Sequence, residues 1–89
     1  MAQLQRTDLE PDKRAQYDAL RRRYATEADY RAVVDLYRNL NQEDEMAAHW
    51  MALHDMTTYV HADGTFRPMT VGYSQRELEF LVNKGVKLL

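Results

Sequence analysis

The chain has 89 residues, 45% of them apolar and 29% charged, with a formal charge of −2. That length predicts one small globular domain over residues 1–89, burying about 60–65% of its unfolded surface, and the near-neutral charge creates no whole-molecule field that would draw in nucleic acid or an anionic membrane. The absence of cysteine excludes disulfides, thiolate nucleophiles and zinc–thiolate sites.

The opening stretch M-A-Q-L-Q-R-T-D-L-E has no apolar run that could act as a secretion signal, and no later run approaches membrane-spanning length. A cytoplasmic protein with no membrane partner is expected. The first helix should start between Thr7 and Asp12, because Thr7 and Glu10 match a capping box and Pro11 fits only a first turn. Tyr17, Leu20 and Tyr24 form its narrow apolar seam, beside an i, i+4 ladder of Arg14, Asp18 and Arg22. Its end carries Arg21, Arg22 and Arg23 in succession. Cations there oppose the helix dipole, and the same run is a candidate contact for an acidic or phosphate-bearing partner.

Thr26 is placed to cap a second helix running to about Leu40, with Glu27 and Asp29 in its first turn. Tyr30, Val33, Val34, Leu36, Tyr37 and Leu40 make one broad apolar stripe opposite Arg31, Asp35, Arg38 and Asn39. The tyrosines Tyr17, Tyr24, Tyr30 and Tyr37 fall on the seams of both helices and are expected to pack between them.

Asn39, Asn41 and Gln42 break the pattern, and Glu43, Asp44 and Glu45 open a third helix at its positive end. From Met46 to Met56 the apolar positions Met46, Ala47, Trp50, Met51, Leu53 and Met56 sweep over half the circumference, which marks a buried, central helix with Trp50 as its keystone. Charge is segregated: residues 1–40 sum to about +1, 41–63 to about −5 and 64–89 to about +2.

Residues 57–60 and 66–71 have β-propensity on both sides of Asp63-Gly64, which predicts a β-hairpin whose returning strand is limited by Pro68. Ser74 and Glu77 then form an S-x-x-E capping box, and Tyr73 with Leu78 forms a hydrophobic staple. This fourth helix should end near Lys84, with Gly85 left-handed and Val86 touching Leu81 as in a Schellman motif. Leu78, Leu81 and Val82 face inward on this wheel. Phe80 faces outward as a candidate interface anchor, and the apolar tail Val86 to Leu89 should be packed.

The histidines His49, His54 and His61 do not make a metal site by spacing. His49 and His54 project about 140° apart on one helix, and Glu45 with His49 supplies too few ligands. His54-Asp55 resembles a metal-phosphohydrolase dipeptide without the further His and Asp ligands such a site needs, so the histidines read as boundary residues on a mostly buried helix. No G-x-S-x-G elbow or glycine-rich phosphate loop is present, so neither a catalytic residue nor a cofactor is expected.

The order helix, helix, helix, hairpin resembles a winged helix. There the third helix would enter the major groove, and here it would carry Glu43, Asp44 and Glu45 against phosphates. Ser74 to Leu81 is similar to the opening S/T-x-R-E-x-E-V-L of the LuxR-type helix-turn-helix, and too few residues follow for a recognition helix. A shared capping box accounts for the likeness.

The expected architecture is therefore α+β and predominantly helical: three N-terminal helices, a β-hairpin and a short C-terminal helix. The expected function is non-enzymatic, an accessory or regulatory protein that binds another protein or itself, with Arg21, Arg22, Arg23 and Phe80 as partner contacts. The alternatives are a small nucleic-acid-binding regulator using the basic face of helix one and a minor metal-dependent enzyme.

Overall fold

The computed structural model describes residues 10–88, so the Thr7 half of the expected capping box and Leu89 lie outside the described residues. Helix α1 spans Pro11–Tyr24, α2 Ala28–Asp35, α3 Glu45–Thr58 and α4 Gln75–Asn83, with a π-helical turn at Leu36–Leu40 continuing α2. Helix α3 is the central element, contacting α1, α2 and the π turn, and α4 packs on the π turn.

The helix starts reflect their caps. Pro11 occupies the first turn of α1, where its missing N–H leaves no hydrogen bond unmade. The Asp44 carboxylate accepts from the Ala47 N–H at 2.8 Å at the head of α3. At α4 the capping box is complete: Glu77 N–H donates to Ser74 Oγ at 3.2 Å and Ser74 N–H donates to Glu77 Oε1 at 2.9 Å. That helix closes as a Schellman motif, with Gly85 at φ 93°, Val86 N–H on the Leu81 carbonyl and Gly85 N–H on that of Val82.

The β-hairpin does not form, and the fold is all-α rather than α+β among the described residues. Helix α3 runs on through Thr57 and Thr58, with the Thr57 hydroxyl donating back to the carbonyls of Leu53 and His54 at 3.1 and 3.0 Å. The turn itself is present, since Gly64 sits at φ 85° and its N–H donates to the His61 carbonyl. Only one antiparallel bridge, Val60 with Phe66, spans it. Pro68, fully buried two residues later, has no N–H to extend a ladder. A lone two-stranded ribbon with nothing to flank it gains too little to displace a helical turn.

Helix two also departs from its wheel. Its last turn takes i→i+5 bonds, shown by Asn41 N–H on the Leu36 carbonyl at 3.1 Å, and Gln42 comes next in left-handed backbone at φ 58°. The Asn41 amide then donates to Glu77 at 2.9 Å and Lys84 lies 3.5 Å from Asp35, so two polar contacts tie α4 to this turn.

All four N-terminal tyrosines are buried, yet they mostly meet α3 instead of one another. Tyr17 stacks on Trp50 with ring centroids 5.7 Å apart, Tyr30 lies against His49, and Tyr24 with Tyr30 is the one pair between α1 and α2. Trp50 is half-buried at the α1–α3 seam, so it is not the keystone expected from its size. The buried face of α3 consists of Ala48, Ala52, Leu53, Asp55 and Met56, with both alanines fully inaccessible. Those small residues let neighbouring helices approach closely, while the fully buried bulk is supplied by Tyr17, Tyr30, Val33, Leu36 and Leu81.

Candidate functional site

The residues with chemical potential form two polar clusters and one cleft. The first cluster is centred on Asp55, a buried acid inside the hydrophobic core. Tyr37 donates to its Oδ2 from the π turn, and Tyr73 donates to the same oxygen at 2.6 Å from the residue preceding the α4 cap. Burial pushes the Asp55 carboxyl above its usual range, and the two tyrosine hydrogen bonds pull it part of the way back. Burial, and then the bond to Asp55, push both phenols above the ordinary tyrosine range. Asp55 therefore acts as a polar tie joining α3, the π turn and the start of α4. Reading the helix for its histidines alone leaves Asp55 without a role. The available signal is one acid within an apolar arc in a chain with six tyrosines.

The second cluster gathers around His49 on α3. Arg21, from the basic end of α1, reaches His49 Nε2 at 3.3 Å, Tyr17 Oη at 3.4 Å and Glu45 Oε1 at 3.8 Å. Tyr30 bonds the other ring nitrogen, Nδ1. Burial, then the charge of Arg21, lower the His49 pKa against the smaller opposing pull of Glu45. Burial also pushes the Tyr30 phenol up to about 12. Of the three successive arginines, Arg21 is thus engaged within the fold. Arg23 is exposed with its guanidinium 5.2 Å from the Tyr24 ring centre, and Arg22 is exposed. Arg21 and Arg22 share a shallow depression with Asp18.

The cleft lies along α4. Tyr73, Leu78, Val82 and Leu88 line it together with the polar Thr70, Gln75 and Asn83 and the charged Glu79, and its volume is about 630 Å³. Val71, beside Thr70 at the tip of the Met69–Gly72 turn, is 87% exposed, and Val82 is 50% exposed. This placement rotates α4 from its expected wheel. Val82 faces solvent, whereas Phe80, the expected outward anchor, is half-buried against the core with the Lys84 ammonium 5.4 Å from its ring centre. The structure does not bring Phe80 and the arginine run together as lining of one pocket.

Among the described residues, no group of three or more His, Asp or Glu side chains is placed to hold a metal ion. His54 is exposed near Thr58, and His61 lies beyond the end of α3. No helix among the described residues is long and apolar enough to cross a membrane. No family model, curated protein or solved structure matches the chain.

Proposed function

We propose that this domain acts by binding another protein and that the cleft along α4 is its principal contact surface. The observation that carries this reading is the half-exposed Val82 in the lining of a cleft that also holds Leu78 and Leu88, with the exposed Val71 next in the chain to the lining residue Thr70. Exposed apolar side chains beside a concave surface are how an unoccupied protein-binding site looks. A fitting partner is a polypeptide segment that inserts apolar side chains between α4 and the Met69–Gly72 turn and sets a cation opposite Glu79. Arg22 and Arg23, exposed at the end of α1, provide a second, basic contact for an acidic portion of that partner.

The test starts from the partner captured by immobilised wild-type protein, with its Kd measured by calorimetry against Val82→Asp and Arg22→Ala. Val82→Asp should weaken binding at least about tenfold, a loss of roughly 1.4 kcal/mol, with the melting temperature nearly unchanged. Arg22→Ala should weaken it less, and only at low salt. Unaltered binding by Val82→Asp overturns the cleft as the contact surface. Tight, salt-sensitive binding of an oligonucleotide that Arg22→Ala abolishes would replace the protein-binding reading with a nucleic-acid one.

A further inference from the structure

We propose that His49 is an acid-operated latch: with its ring neutral it ties α1 to α2 and α3 through Arg21 and Tyr30, and a proton on Nε2 breaks the Arg21 contact and releases that end of α1. The latch is a property of the α1–α3 seam, distinct from the cleft along α4 and independent of whether that cleft binds a protein.

A guanidinium has donors and no acceptor, so the 3.3 Å contact between Arg21 and His49 Nε2 requires a lone pair on that nitrogen. The ring is then neutral, its hydrogen is on Nδ1, and that hydrogen is donated to the Tyr30 hydroxyl oxygen. One imidazole thereby bridges a residue of α1 and a residue of α2 from its seat on α3.

Protonation removes the lone pair and sets an N–H⁺ against a guanidinium at hydrogen-bond distance. The surrounding charges determine how the cluster rearranges. Facing His49 are Arg21 on α1, itself bonded to the Tyr17 hydroxyl, Tyr30 on α2, Arg38 on the π turn and Glu45 on its own helix. Two cations stand against one carboxylate, and that carboxylate, 4.0 Å from Nε2, is already shared with Arg21. A protonated His49 takes Glu45 as its partner, and Arg21, itself nearly half-exposed, turns outward to water beside Arg22 and Arg23. Helix α1 then loses the polar contact that holds its last turns to α3, and the Tyr17–Trp50 stack one turn away loosens with it.

The ring's environment fixes the sign of the pH effect. The folded ring binds its proton less readily than a free histidine, so the latch contributes stability above the ordinary histidine pKa and that contribution is lost as pH falls through the folded value. Asp55 works in the opposite sense and is tied to Tyr37 and Tyr73 instead.

Trp50 is the chain's single tryptophan and sits in the α1–α3 seam, so it reports on the latch directly. The experiment titrates the full chain from about pH 7.5 to 5, following the His49 ring by NMR and Trp50 by fluorescence, in wild type, His49→Gln, Arg21→Ala and Glu45→Gln. In wild type, Trp50 emission should change with the same midpoint as the His49 ring, below the ordinary histidine value of about 6.5. Arg21→Ala should raise the ring midpoint and abolish the Trp50 step, Glu45→Gln should lower the midpoint, and His49→Gln should show no step. Because Arg21 is nearly half-exposed, Arg21→Ala carries the test even if His49→Gln fails to fold. A wild-type Trp50 signal that stays flat while the His49 ring titrates overturns the latch, as does a step that survives in Arg21→Ala.

Discussion

Asp55 joins three elements, because two tyrosines from different elements end on one of its oxygens. Removing the acid with Asp55→Ala leaves two buried hydroxyls without their acceptor, at about 1–3 kcal/mol for each. Thermal melts should show a loss of that order, far above an exposed Asp→Ala change. The pH dependence has a definite sign. Burial raises the folded carboxyl pKa, so Asp55 contributes stability below its unfolded value that is lost as pH rises through the folded one. Asp55→Asn should therefore flatten the stability profile between the ordinary carboxyl range and neutrality, measured as the melting-temperature difference from wild type across pH. Gly72 is a second position where one atom matters: a Cβ there would run into the Tyr59 ring, which lies 5.4 Å from the Tyr73 ring. Gly72→Ala should cost about 1–3 kcal/mol by forcing that ring aside.

At the scale of elements, the ends of α4 are where local sequence and final structure agree best. Ser74→Ala removes one bond of a complete capping box and should cost about 0.5–2 kcal/mol, read as a lowered urea midpoint with unchanged slope. The box is legible in the sequence because its two residues act on their own backbone and need no distant partner. Pro11 and Gly85 are legible for the same reason. The hairpin is misread because Thr57, Thr58 and Tyr59 have β-propensity, whereas α3 has enough tertiary contact to continue through Thr58 and leaves a single bridge at Val60 and Phe66. The tyrosines are legible as buried, but their partners are not. A helical wheel gives the direction of a side chain within its helix and says nothing of which helix it meets. The rotation of α4, which exposes Val82 and draws Phe80 inward, is a difference of the same kind, and it moves the candidate contact surface from Phe80 to the cleft beside Val82.

At the scale of the whole molecule, the core is a shell of tyrosines and aliphatics around an α3 face built on alanine. Burial rather than side-chain size should govern the cost of truncation. Leu36 is fully inaccessible, and Leu36→Ala should cost about 2–5 kcal/mol. Trp50→Ala, at a half-buried seam position, should cost less than the roughly 3–5 kcal/mol typical of a core tryptophan. Equilibrium unfolding of the two variants side by side checks the order. A larger loss at Trp50 would return the indole to the centre of the core.

The π turn at Leu36–Leu40 has a consequence for how the chain tolerates changes in length. Such a turn closes its hydrogen bonds over one residue more than an α-helical turn does. Dropping the exposed Asn39 would let i→i+4 bonds re-form and turn the surplus residue into ordinary helix, with Tyr37 still upstream of the cut and able to reach Asp55. The same excision inside α3, between Ala48 and Asp55, would swing every later side chain by about 100° and detach Asp55 from both tyrosines. Length variation in this protein should accordingly be permitted just after Tyr37 and forbidden along α3.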